Sequence, residues 1–174
     1  TVIDSLNVSL AESILVLHAN TMKENGASYD EVIDRLNEMI PHINVQFTVD
    51  DLFHLQRGGR VSKASAVAGT LIGIKPVIHV NDEGKLIVLD KIRGRKKSLM
   101  KLVDAMEEKT RDYAEGNDIV FISHGDCLED AQFVADLIKE RYGIEKILIN
   151  FVCPTIGAHS GPGTVALFFM GNER

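Results

Sequence analysis

Val77-Ile78-His79-Val80-Asn81-Asp82-Glu83-Gly84-Lys85-Leu86-Ile87-Val88-Leu89 decides the fold class. Two short apolar runs, Val77 to Val80 and Leu86 to Leu89, flank a polar turn containing one glycine, the pattern of a β-hairpin. Hairpin strands run antiparallel, which argues against a purely parallel sheet. On the N-terminal side, Ile43, Val45, Phe47 and Val49 alternate with Asn44, Gln46 and Thr48, the period of a half-buried strand. Further upstream, Ser9-Leu10-Ala11-Glu12 and Ser28-Tyr29-Asp30-Glu31 both carry capping-box spacing. The first opens a helix with Leu10, Ile14, Leu17 and Thr21 on one face, stopping at Asn25-Gly26. The second opens a helix carrying Val32, Ile33, Leu36, Met39 and Ile40 up to Pro41, completing an αα-hairpin. A short helical piece from Asp50 to Gln56 stops at Gly58-Gly59, and Lys63 to Leu71, rich in small residues, is predicted helical.

Downstream of the hairpin, a long helix is predicted with Leu99, Leu102, Val103, Met106 and Tyr113 inward, then a strand from Ile119 to Ser123. Leu128, Ala131, Val134, Ala135 and Ile138 define a helix face ending near Gly143, and strands from Lys146 to Val152 and Val165 to Met170 complete the set. The expectation is an α/β (α+β) fold, a mixed or antiparallel sheet flanked by helices, in a single domain over residues 1–174.

Composition narrows the function. With 174 residues, 45% of them hydrophobic, the chain can bury a real core. No apolar run approaches the roughly 18 residues of a membrane span. A net charge of −6 argues against a general nucleic-acid binder. Thr1-Val2-Ile3-Asp4 is neither a signal peptide nor an initiator sequence, and suggests a fragment or a processed product. Cys127 and Cys153 form no disulfide framework, and His18, His42, His54 and His79 show no metal-ligand spacing, so neither metal nor cofactor is expected.

Three segments do not read as packing. In Leu55-Gln56-Arg57-Gly58-Gly59-Arg60-Val61-Ser62 the paired glycines would let main-chain N–H groups approach an anion, with Arg60 as a planar charged fork. The same residues also suit a helix C-cap followed by a surface arginine. Ile156-Gly157-Ala158-His159-Ser160-Gly161-Pro162-Gly163, expected as a loop between strands, surrounds one histidine with little side-chain bulk. His159 and Ser160 would offer donors to an anion, or His159 is structural. No nucleophile-elbow or nucleotide-loop spacing is present. From Lys91 to Lys101, six cations (Lys91, Arg93, Arg95, Lys96, Lys97 and Lys101) occur with no acid among them, either a solvated junction or a docking patch. Ser123-His124-Gly125-Asp126, at a strand end, reads as a turn.

Taken in order, Asp4-Ser5, Val8-Ser9-Leu10, Phe47-Thr48-Val49-Asp50-Asp51-Leu52, Gly58-Gly59-Arg60-Val61-Ser62, Gly73-Ile74-Lys75-Pro76, Arg93 with Arg95-Lys96-Lys97, and the His159 segment resemble the DegV family over essentially the whole chain. That resemblance implies the C-terminal lobe of a cytoplasmic carrier that holds a long-chain fatty acid in a tunnel between two lobes. It also implies a partner fatty acid kinase that phosphorylates the bound carboxylate to an acyl phosphate. On that pattern His159 and Ser160 contact the carboxylate head group. Arg60, Arg93 and Arg95 dock the kinase or steady the phosphoryl group, and residues between Val61 and Ile78 help wall the chain. The family pattern includes a further N-terminal lobe on the order of 100 residues, expected to be absent here and needed to complete the site. Burial of an acyl chain at about 0.8 kcal/mol per methylene supplies a gross gain on the order of ten kcal/mol. The carboxylate must then find donors, or its desolvation cancels much of that gain. The competing expectation is a stand-alone hydrolase or transferase using His159, Ser160 and Arg60.

Overall fold

The computed structural model describes residues 1–62 and 73–174; the predicted helical stretch from Lys63 to Leu71, and most of the proposed wall between Val61 and Ile78, lie outside them. In chain order the elements are α1 (Leu10–Glu24), α2 (Tyr29–Met39), a 3-10 turn (Ile40–His42), β1 (Ile43–Thr48) and α3 (Leu52–Arg57). There follow β2 (Ile74–Val80), β3 (Leu86–Arg93), α4 (Arg95–Thr110), β4 (Ile119–His124), α5 (Leu128–Tyr142), β5 (Lys146–Phe151), α6 (Pro154–Ser160) and β6 (Val165–Met170).

β2 and β3 form the expected hairpin. Its turn is held by Asn81, whose Oδ1 accepts from the Glu83 and Lys85 amides at 3.1 and 2.9 Å, while Gly84 takes the left-handed φ of +73° that the reversal requires. A bulge between Val77 and Ile78 shifts the register, pairing Val77 with Asp90 and Ile78 with Val88. The strands are ordered β3-β2-β1-β6-β4-β5. Among the described residues only β4 and β5 run parallel; the other neighbouring pairs are antiparallel. The sheet is mixed.

Register sorts the strand residues into two faces. Ser123, Ala166, Phe47 and Ile78 stand in one row across β4, β6, β1 and β2. That face packs against α1, α2 and α3 through Ala11, Ile14, Leu36, Met39, Leu52 and Leu55. The opposite face carries Val120, Ile122, Leu167 and Phe169 against Leu102, Val103 and Met106 of α4 and Ala131, Val134 and Ile138 of α5. Helices on both faces bury every residue of β6, which explains its unbroken apolar run. β1 is likewise buried throughout, so the half-buried strand expected there is corrected. Asn44, Gln46 and Thr48 sit opposite Phe169, Leu167 and Val165, at 0–1% exposure.

Two further expectations change. Ser28 caps α2 with the full reciprocal box to Glu31, but Ser9 makes no cap to α1 and has a φ of +64°. Its hydroxyl instead donates to Ser123 Oγ at 3.4 Å. The buried face of α1 is Ala11, Ile14 and Leu15, with Leu17 39% exposed. The segment expected as a loop around His159 contains a helix, α6, begun by Pro154 in its first turn, where the missing N–H costs nothing.

Candidate functional site

On the face carrying Phe47 and Phe168 lies a cavity of about 450 Å³, walled by β1, β2, β4, β6, α3, α6 and the segment before α1. Its lining is mostly apolar, including Val45, Phe47, Leu55, Val80, Leu86 and Phe168. Polar groups enter from α6 (His159 and Ser160), from Ser9 and Ser123, and from Arg60 and Glu83. Ser123 and Leu86 are four strand spacings and two residues apart, a diagonal of about 20 Å.

The hydroxyl end is buried. Ser160 is 4% and Ser123 0% exposed, and Ser160 Oγ has no hydrogen-bond partner among the described residues. An unmade hydroxyl bond inside a protein costs about 1–3 kcal/mol, so a group like this calls for a partner. His159 is half-buried beside it.

The glycines around the site make room for side chains. A Cβ on Gly58, the C-cap of α3, would fall 2.4 Å from His159 Nδ1, and one on Gly161, the C-cap of α6, would fall 2.8 Å from His54 Cγ. The two short helices thus exchange imidazoles: each histidine seats its ring on the other helix's terminal glycine. Gly163 is pressed against Asp50 in the same way, at 2.8 Å from its carboxyl carbon. Close approach to a neighbouring side chain is what Gly58, Gly161 and Gly163 show.

Arg60 stands in the cavity wall with His159 and Ser160, its guanidinium donating to the Gly58 carbonyl. Arg93 and Arg95 do not line the cavity. Arg93 is exposed at the end of β3. Arg95 is held by Asp130 at 2.7 Å and lies 3.9 Å from Asp50, which in turn pairs with Lys75 at 2.7 Å. The acid-free run from Lys91 to Lys101 therefore acquires acids from β1's end and from α5. Asp50 touches Gly163, so this ion cluster abuts the segment that follows Ser160. Burial raises the pKa of the nearby Cys127 thiol, Arg95 opposing only in part. His124 is 2% exposed, accepts the Cys127 amide at 3.2 Å and stacks on Phe151, a packing role. Sequence reasoning missed Ser9 and Ser123: one looked like a cap and the other like a turn, and no pattern joins residues so far apart in the chain. Among the described residues no three His, Cys, Asp or Glu gather as a metal site, and no helix is long and apolar enough to cross a membrane.

A half-open, largely apolar cavity with polar groups in its lining, on a sheet covered by helices, is the form that small-molecule sites commonly take. The chain belongs to the DegV family, whose model matches residues 1–172. It is 40% identical over 173 residues to a DegV domain-containing protein of Clostridium perfringens, covering 99% of this chain and 59% of that one. Among solved structures it resembles the fatty acid binding DegV family protein from Streptococcus agalactiae, with a TM-score of 0.85, 29% identity, and 99% of this chain over 60% of the other. A DegV lipid binding protein from Thermotoga maritima gives a TM-score of 0.85 at 30% identity, covering 99% of this chain and 59% of that one. The chain thus spans about three-fifths of the length of these relatives.

Proposed function

We propose that this chain binds one long-chain fatty acid in the cavity and holds its carboxylate at the Ser160 and His159 end. The observation that carries this reading is the partnerless, buried hydroxyl of Ser160, next to His159, in the lining of a largely apolar cavity. The solved relatives from Streptococcus agalactiae and Thermotoga maritima are described as fatty acid binding and lipid binding. Arg60, in the wall, adds positive charge to the head-group environment. In this proposal the protein is a cytoplasmic carrier and not an enzyme by itself. A partner fatty acid kinase phosphorylates the presented carboxylate to an acyl phosphate, docking through exposed Arg93 and its lysine neighbours. Arg95, already engaged by Asp130, shapes that surface. A further N-terminal lobe, corresponding to the remaining length of the relatives, closes the other side of the head group.

Native mass spectrometry of the purified full-length protein tests the reading. A co-purifying mass of a long-chain fatty acid is expected. A protein that stays empty, and remains so after incubation with fatty acids, overturns it.

A further inference from the structure

Arg174 is 7% exposed, and no acidic side chain lies within ion-pair distance of it among the described residues. Its guanidinium is met instead by four backbone carbonyls. Nη2 donates to Ile40 at 2.8 Å and to Ser5 at 3.3 Å; Nη1 donates to Asn81 at 3.3 Å and to Leu6 at 3.4 Å. Those carbonyls belong to three separate segments: the stretch before α1, the β2–β3 turn and the end of α2. A buried cation is costly unless its donors are used, so one arginine bonded to three segments fixes their mutual placement.

Two of these segments form the end of the cavity remote from Ser123. Leu6, Asn7, Glu83, Gly84 and Leu86 line it there, and the turn rests directly on the other segment, a Cβ on Gly84 falling 3.3 Å from the Leu6 carbonyl. Leu6 is itself held at a φ of +52°, with its amide donated to Asp4 Oδ1 at 3.0 Å. Arg174 does not line the cavity. It bonds both pieces of chain that meet at this end, Ser5-Leu6 and Asn81.

We infer that Arg174 is a positioning residue that sets the chain length the cavity accepts, by clamping Leu6 against the Gly84 turn as its end wall. The inference rests on the fatty-acid reading of the cavity. While the acyl chain is shorter than the cavity, each added methylene raises affinity about fourfold; once its end meets Leu6 the gain stops. Loosening the clamp moves that stopping point outward.

The full-length protein, Arg174→Met, Arg174→Lys and Leu6→Ala are compared in two measurements. Displacement of a fluorescent fatty acid by saturated acids of increasing length locates the length optimum. Amide hydrogen exchange at Leu6, Asn7, Glu83 and Gly84 reports the clamp without any ligand. Arg174→Met is expected to speed exchange at those amides and to move the optimum to longer acids. Leu6→Ala is expected to move the optimum in the same direction. Arg174→Lys, whose single ammonium cannot reach four carbonyls, is expected to fall between wild type and Arg174→Met, and it decides the matter if Arg174→Met fails to fold. Unchanged exchange in the folded variants overturns the clamp, whatever binds in the cavity. Faster exchange with an unmoved optimum overturns its role in length selection. Wild-type protein that binds no acid of any length overturns the fatty-acid reading and the length claim with it, while the exchange data still decide the clamp.

Discussion

Gly58→Ala is the sharpest perturbation of the site, because its backbone and steric consequences separate. Gly58 has φ −76° and ψ −2°, angles that alanine adopts freely. The substitution should therefore gain about 0.4–1 kcal/mol by narrowing the unfolded ensemble. The added Cβ, however, would stand 2.4 Å from His159 Nδ1 and 3.2 Å from its Cγ. Ordinary contact begins near 3.5 Å, so the imidazole must retreat by about 1 Å. Overpacking of this kind costs about 1–3 kcal/mol, partly offset by the entropy gain, and the melting temperature should fall only modestly. Binding should suffer more. A retreat of about 1 Å takes a hydrogen bond of ordinary length beyond 3.6 Å, where it no longer counts as one. A bond to a charged group contributes about 1.5–3 kcal/mol, so fatty acid affinity should drop roughly tenfold to hundredfold. The assay is displacement of a fluorescent fatty acid, run with acids and with the matching fatty alcohols, which lack the carboxylate. Alcohols should be nearly unaffected. In the Gly58→Ala, His159→Ala double variant the losses should not add, because both remove the same contact. Equal losses for acid and alcohol, or full additivity, would refute the seat-and-ring argument.

Other expectations follow from the same geometry. Ser160→Ala should leave the apo protein as stable as wild type or more so, since it removes a buried hydroxyl without a partner, and should weaken carboxylate binding; a melting curve beside a binding isotherm checks both. Arg93→Ala, at an exposed position, should impair use of the bound acid by the kinase while lipid stays bound. Arg95→Ala should instead destabilise the fold by about 1–2 kcal/mol, because Asp130 loses its charged partner, as a urea midpoint would show. His79 and His18 both have pKa values pushed below the ordinary imidazole value, His79 by burial and then Lys109, His18 by burial and then Arg35. Just below about pH 6.5 the unfolded chain therefore binds more protons than the folded one, so stability present above that pH is lost as the pH falls. Replacing both with glutamine should flatten the fall in melting temperature between about pH 7 and 5.

The sequence by itself ruled out a purely parallel sheet. The polar turn from Asn81 to Lys85 is local chemistry, and a hairpin once made forces antiparallel neighbours. It also marked the faces of α4 and α5, since Leu102, Val103, Ala131 and Val134 recur at helical spacing and nothing downstream overrides them. His159, Ser160 and Arg60 stood out because glycines around a charged or polar residue are rare where only packing is required. What those glycines do was beyond its reach. Gly58 and Gly161 lie about a hundred residues apart, and their reciprocal seats exist only once α3 and α6 meet. The same holds for Ser9, whose local spacing promised a cap but whose hydroxyl turned to Ser123 on β4. It holds too for β1, where alternation implied a wet face and α4 covers it. Local propensity is written in a few consecutive residues, whereas a cavity wall is assembled from segments that the chain keeps far apart, and only packing reveals which of their side chains face one another.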